Sequence, residues 1–314
     1  MAHEELELRR HAYNVVGLYF ELLEQSDFVE RPQLTLLLRM FRNSISSKLQ
    51  RVRPLTASFF NEAAWVMLRP DHHLYAALNC FLLQRPIYDV EDVPMFYQLF
   101  HSATEYSAHD RKWMLRVLCE GVHTEADYQV LRRRHGLALL MAFASSSSSG
   151  VNSRRTVLKI LWQTATAHEQ TLVDCVEHCG VTSWLVQLAC DTGRSWSLRL
   201  RAVRLLRLIV TRLHARLGPE CVDLARSILI HAAANLSRTH TGTLTRTQRT
   251  QAQHFALLLL DLVRVVSTRM DTQLRDIAVE RFIETHLPLQ RRQDSLHLTF
   301  WQIQVASSQN SVEL

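Results

Sequence analysis

The chain carries little punctuation. Only eight of its 314 residues are glycine and seven are proline. That is too few for the closely spaced turns of a β-sandwich and suits long helices with short connections. No apolar run approaches the roughly 18 residues that a membrane span needs. The opening residues, Met1-Ala-His-Glu-Glu-Leu-Glu-Leu-Arg-Arg10, are charged and acidic, unlike a signal peptide or a mitochondrial presequence. A soluble, intracellular protein with no membrane partner is therefore expected. Six cysteines without framework spacing read as buried thiols in a reducing compartment. There is no phosphate-binding glycine loop, no dinucleotide fingerprint and no paired-histidine zinc helix, since His168-Glu169 is followed by Gln-Thr-Leu. These absences exclude the common nucleotide-binding and zinc-protease readings, leaving an unusual helical enzyme open, and we expect no cofactor, no metal and no small-molecule substrate.

Lysine is also scarce, with 3 against 33 arginines. Arginine forks onto phosphates and stacks on bases, which would suit an RNA partner, although a GC-rich genome produces the same bias with no functional meaning. The charges are unevenly spread. Residues 1–30 hold seven acids against two arginines, whereas residues 194–249 hold eleven arginines against Glu220 and Asp223.

What the chain does have is apolar residues, 47% of the total, at helical spacing. Glu4 to Gln25 predicts a helix with an apolar stripe through Leu8, Val15, Leu18 or Tyr19, and Leu22. Pro32 opens a second helix through Phe41, and Ser58 to Leu68 a third. Asp71 is placed to cap a fourth at Tyr75, which Pro86 stops near Gln84. Ile87 to Phe100 restarts a helix with Asp92 and Pro94 near its first turn. Ser107-x-x-Asp110 and Thr124-x-x-Asp127 have capping-box spacing, and Gly121 sits where a helix ends left-handed. A long helix to Ala144 then meets a five-serine linker, Ser145 to Gly150. Helices at 154–164, 172–179 and from Trp184 follow, with Gly180 ending the second.

The block Phe81-Leu-Leu-Gln-Arg-Pro-Ile-Tyr-Asp-Val-Glu-Asp-Val-Pro-Met-Phe-Tyr97, Arg111-Lys-Trp-Met-Leu-Arg-Val-Leu118, Gly121-Val-His-Thr-Glu-Ala-Asp-Tyr128 and Arg132-Arg-Arg-His135 resembles the C-terminal region of the nucleolar pre-ribosomal-associated protein family. The likeness runs from about 34 to 185. It implies a non-catalytic scaffold in the nucleus and nucleolus, acting in early assembly and pre-rRNA processing of the large ribosomal subunit. The partners it implies are pre-60S assembly factors, among them a DEAD-box helicase, and pre-rRNA or small nucleolar RNA particles. Family members are several times longer.

Helix pairs recurring every 35 to 45 residues or so predict an all-α fold, a HEAT- or armadillo-like α-solenoid of stacked pairs. We divide it into a family-like region at 1–190, continuing repeats with a basic helix at 191–306, and a disordered tail at 307–314. The helix from Arg194 to Leu217 is the most regular. Ala202, Val203, Leu206, Val210, Leu213 and Leu217 project to one face, while Arg194, Arg201, Arg204, Arg212 and Arg216 gather opposite. That row is a candidate track for an RNA backbone, or else a solvated face. Aromatics do not interleave with it apart from Trp196, so contact to phosphate rather than base is expected. Beyond it we expect helices at 220–235, 251–268, 271–285 and 288–306, with a polar loop at 237–249.

In the family-like block Phe81, Phe96, Tyr97 and Trp113 read as core, and Asp89, Glu91, Asp92, Arg132, Arg133 and Arg134 as a partner surface. Cys175, His178, Cys179 and Cys190 match no structural zinc spacing, and the thiols read as core cysteines. A helical adaptor unrelated to ribosomes is the alternative function; its complexes would not depend on RNA.

Overall fold

The computed structural model describes residues 1–213 except Pro86, Thr192 and Arg194, together with Thr247, Thr250, His254, Phe255, Leu258 and Leu262. The helices expected at 220–235, 271–285 and 288–306 and the tail at 307–314 lie outside these residues. So does the loop expected at 237–249, apart from Thr247, which is helical. Among the described residues the chain forms helices and no strand. Contacts divide it into two compact units, Met1–Trp184 and Leu185–Leu314.

The first unit opens with α1 (Leu6–Gln25), α2 (Arg31–Asn43) and α3 (Pro54–Met67). Prolines at the start of α2 and α3 supply the fixed φ that a first turn uses, where their missing N–H costs nothing. In α1 the buried or half-buried side is Ala12, Tyr13, Val16, Phe20 and Leu23. The stripe legible in the sequence lies on its other side. α4 (Tyr75–Gln84) ends before Pro86 as expected, but Asp71 does not cap it; the Leu74 N–H donates instead to His72 Nδ1 at 3.1 Å.

The next stretch departs from its periodicity. Only α5 (Phe96–Phe100) forms within the helix expected at 87–100, and Met95 before it is left-handed at φ 58°. Asp89 and Asp92 turn the backbone on themselves, accepting from the N–H groups of Glu91 (2.9 Å) and Val93 (2.7 Å). This competition between side chain and ladder is why Asp is a poor helix former.

α6 (Ser107–Gly121) is the hub, packed on α3, α5 and α9. Ser107 lies inside it and no side chain caps it, because Asp110 is buried and faces His73 Nε2 at 3.1 Å. Gly121 ends α6 without a left-handed turn; a Cβ there would lie 2.7 Å from the Leu55 backbone. Glycine is needed for close approach. Leu55 beside Gly121, and Ser58 donating to the Val117 carbonyl at 2.9 Å, show that α3 and α6 run antiparallel. Between them Phe59, fully buried, lies edge-on to Phe60, Phe81 and Trp113. Burying each such side chain is worth about 1.5–3 kcal/mol.

The second capping box forms as read. Thr124 and Asp127 exchange bonds at the start of α7 (Glu125–Arg133), and buried Asp127 also takes the Leu55 N–H at 3.3 Å. The long helix expected after it is broken: α7 stops, His135 turns left-handed at φ 49°, and α8 (Gly136–Ser145) begins. Gly136 accommodates the break, since a Cβ there would sit 2.6 Å from Leu131 Cγ. The five-serine segment is not a free linker. Ser149 is buried, Ser145 Oγ takes the Trp184 indole N–H at 2.9 Å, and Arg154 closes the turn on the carbonyls of Ala144 and Ser146. α9 (Val151–Ala167), α10 (Glu169–Glu177), capped by His168, and α11 (Val181–Cys190) follow; Gly180, expected to end a helix, lies between α10 and α11 and is left-handed.

Within the second unit α12 (Trp196–Leu213) is the long described helix, and the described residues from Thr247 to Leu262 are also helical.

Candidate functional site

Two arginine-rich surfaces carry the residues singled out from sequence. In the first unit, Arg132, Arg133 and Arg134 close α7 and each meets a different carboxylate. Arg134 binds Asp92 with two bonds, Nε to Oδ1 at 2.7 Å and Nη2 to Oδ2 at 2.6 Å. Arg133 pairs with Glu91, whose other oxygen takes Arg53 Nη2 at 2.5 Å. Arg132 reaches Asp174 of α10 at 2.8 Å. The tract 87–95, irregular in backbone, is thus clasped between α3 and α7 by charge. Asp89 remains exposed and spends its carboxylate on its own turn.

Electrostatics follow the pairing. The hydrogen bond to Asp92 raises the Arg134 pKa, and that from Arg53 holds the Glu91 carboxyl below its ordinary value. Tyr97, read as core, is instead 40% exposed. Its hydroxyl donates to the Arg134 carbonyl at 2.7 Å and its ring lies 5.7 Å from the guanidinium. Beside it opens a cleft of about 510 Å³ bounded by Phe81, Arg85, Asp92, Phe96 and Tyr97. Phe96 and Trp113 are buried, as expected, and Phe81 is partly so.

Behind the clasp, buried Asp174 accepts from the Tyr128 hydroxyl and faces His178 Nδ1 at 3.2 Å. Desolvation pushes the neighbouring Cys175 thiol up to about 12 and raises Cys179 too, so both stay protonated at neutral pH. Among the described residues no His, Cys, Asp and Glu group could hold a metal ion.

The second surface is α12. Arg201, Arg204 and Arg212 are exposed on one side, while Ala202, Val203, Leu206, Val210 and Leu213 are buried on the other. Arg194 and Arg216, expected in the same row, lie outside the described residues. Arg207, also exposed, extends the row and was not read from the sequence. Arg201 and Arg204 pair with no carboxylate among the described residues, in contrast to the clasp. Trp196 is buried and offers no base a stacking platform.

Arg199 is the residue that sequence reading missed. It is 1% exposed, on the apolar side of α12. Its guanidinium lies 4.2 Å from the Trp196 ring centre and 4.8 Å from that of Phe255, and its Nε donates to the Ala189 carbonyl at 2.8 Å. Its spacing from Ala202, Val203 and Leu206 placed it on that face from the start, and burial lowers its pKa.

No solved structure matches the chain at a significant level. Two curated relatives do. Nucleolar pre-ribosomal-associated protein 1 of Homo sapiens is 28% identical over 182 residues, and that of Mus musculus 26% over 182. The match covers 58% of this chain and 8% of each relative, so the chain spans a small part of their length. The nucleolar location expected from the sequence agrees with both names. A family model described as nucleolar pre-ribosomal-associated protein 1 matches residues 1–184, so the likeness takes in α1 and does not begin near 34. With more than half its length matched, this chain belongs to the nucleolar pre-ribosomal-associated protein 1 family.

Proposed function

We propose that the protein is a non-catalytic scaffold of the nucleolus that holds assembly factors and pre-ribosomal RNA together during early large-subunit assembly and pre-rRNA processing. Family membership supports the ribosomal setting, and the stacking of α3 on α6 and α6 on α9 supports a solenoid of helix pairs as its framework. Protein partners, pre-60S factors among them, dock on the clasp through exposed Asp89, Arg132 and Arg133 and the half-buried Glu91, Asp92 and Arg134. RNA lies along α12 through Arg201, Arg204 and Arg212; Arg194 and Arg216, placed in the same row by the sequence alone, are further candidates.

The observation that carries the RNA contact is the composition of α12, which exposes arginine after arginine and contains no acid. Such a row meets phosphate without reading bases, so each neutralised phosphate steepens the salt dependence of binding by about 0.7 on logarithmic axes for a single strand. The test is gradient sedimentation of the tagged chain from nuclear extract, with and without RNase, and sequencing of the RNA that travels with it. Migration with large-subunit precursors is expected. Arg201→Glu with Arg204→Glu should move the chain toward the top of the gradient and flatten the salt slope by about 1.4. Migration unchanged by RNase and by these substitutions would favour the RNA-independent adaptor.

A further inference from the structure

α1 is apolar on two sides, and only one is used. Ala12, Tyr13, Val16, Phe20 and Leu23 turn inward, yet Leu8, Val15, Leu18, Tyr19 and Leu22 stand 46%, 63%, 59%, 42% and 66% exposed. Contiguous exposed apolar surface on this scale marks an interaction site. Its register is specific. Leu8, Val15 and Leu22 are spaced by sevens, with His11, Leu18 and Gln25 three residues after each. Four of these six positions are apolar, the spacing by which one helix packs against another by knobs into holes.

The flanks indicate what kind of helix. Residues immediately before the seven-spaced positions are Glu7, Asn14 and Glu21, all exposed, and the opposite flank carries Ala12, Tyr19 and Ser26 without charge. Arg10 pairs with Glu7 at 3.2 Å, but both are more than half exposed and such a pair is weak. Arg42 and Lys48 line a cleft of about 1130 Å³ that starts at Asn14, Gly17 and Glu21, to one side of the seam. A second copy suits the seam poorly: antiparallel it sets Glu7 against Glu21, and in parallel it buries His11 and Gln25 against themselves.

We infer that the outer face of α1 is a docking site for a helix of a partner protein, with an apolar heptad seam and lysine or arginine on the flank that meets Glu7 and Glu21. The surface belongs to the first unit and is independent of the arginine row of α12.

The test uses the full chain and two fluorescein-labelled peptides of about four heptads, with leucine at both seam positions and either lysine or glutamate at all flanks. Each peptide repels its own kind and so remains available. In fluorescence anisotropy the lysine peptide should bind about tenfold more tightly than the glutamate peptide. Leu18→Asp with Leu22→Asp, on exposed positions that leave the circular dichroism unchanged, should abolish binding. Glu7→Lys with Glu21→Lys should reverse the order of the two peptides, and serves alone if the aspartate variant fails to fold. Equal affinity for both peptides, an order the charge swap leaves unchanged, binding that survives the leucine substitutions, or dimerisation of the chain itself through Leu18 in sedimentation velocity would overturn the proposal.

Discussion

Arginine plays opposite parts in the two units. At the end of α7 three consecutive guanidinium groups are consumed by Asp174, Glu91 and Asp92, and the result is a fixed loop. On α12 the arginines occupy a helix that has no acid of its own, and Arg201 and Arg204 find no carboxylate among the described residues. The difference lies in what surrounds the charge, not in the side chain. An arginine that meets a carboxylate at home organises the fold; one that does not is left to seek an anion elsewhere.

Asp174 is buried beneath Arg132 and the Tyr128 hydroxyl. Asp174→Ala strands the buried Tyr128 hydroxyl and returns half-exposed Arg132 to solvent, and should destabilise the first unit by about 2 kcal/mol, read as a fall in the urea midpoint with little change of slope. The Arg134–Asp92 pair is bidentate, but Arg134 is 40% exposed, so a double-mutant cycle with Arg134→Ala and Asp92→Ala should give a coupling of about 1 kcal/mol. Were it near zero, the clasp would be no more than solvated charge.

Glu91 sharpens the contrast through pH. Its carboxyl is held below the ordinary 4.5, first by the hydrogen bond from Arg53 and then by Arg133. A depressed carboxylate contributes stability in full above its unfolded value, and loses it as pH falls through the folded one. Wild type and Glu91→Gln should therefore differ at pH 7 and converge as the pH falls from 4.5 through the depressed folded value. The smallest effect is expected on α12. Arg201→Ala with Arg204→Ala should shift folding stability by less than about 0.5 kcal/mol, as exposed charges do, even where it weakens RNA binding. A loss as large as that from Asp174→Ala would show that the row serves the fold instead.

The sequence made the helices legible wherever backbone chemistry decides them locally. The proline opening α2, the Thr124–Asp127 box and the glycine stop at Gly180 each satisfy or remove a backbone group within a few residues. It misled where a distant partner decides. The acids at 89–92 have the spacing of a first turn, but arginines about 40 residues away on either side hold them in a loop. Asp110 has the spacing of a cap yet faces His73. Gly136 looks like a tolerated helix residue until Leu131 is seen to occupy the place of its Cβ. At the candidate surfaces, the alternation of apolar and arginine on α12 was readable because one helix contains it. The clasp was readable only as a set of polar residues, since nothing in their spacing says that they neutralise one another.

Arg199 gives α12 a mechanical property. A greasy helix face can slide or roll on its neighbours at modest cost, because one leucine resembles another. A guanidinium set against both the Trp196 and Phe255 rings and bonded to the Ala189 carbonyl admits one setting, since rolling the helix by a single residue, about 100°, would break these contacts and leave a buried charge without them. Arg199 therefore works as a key in a slot, indexing the helix so that Arg201, Arg204 and Arg212 present a constant bearing to whatever approaches them.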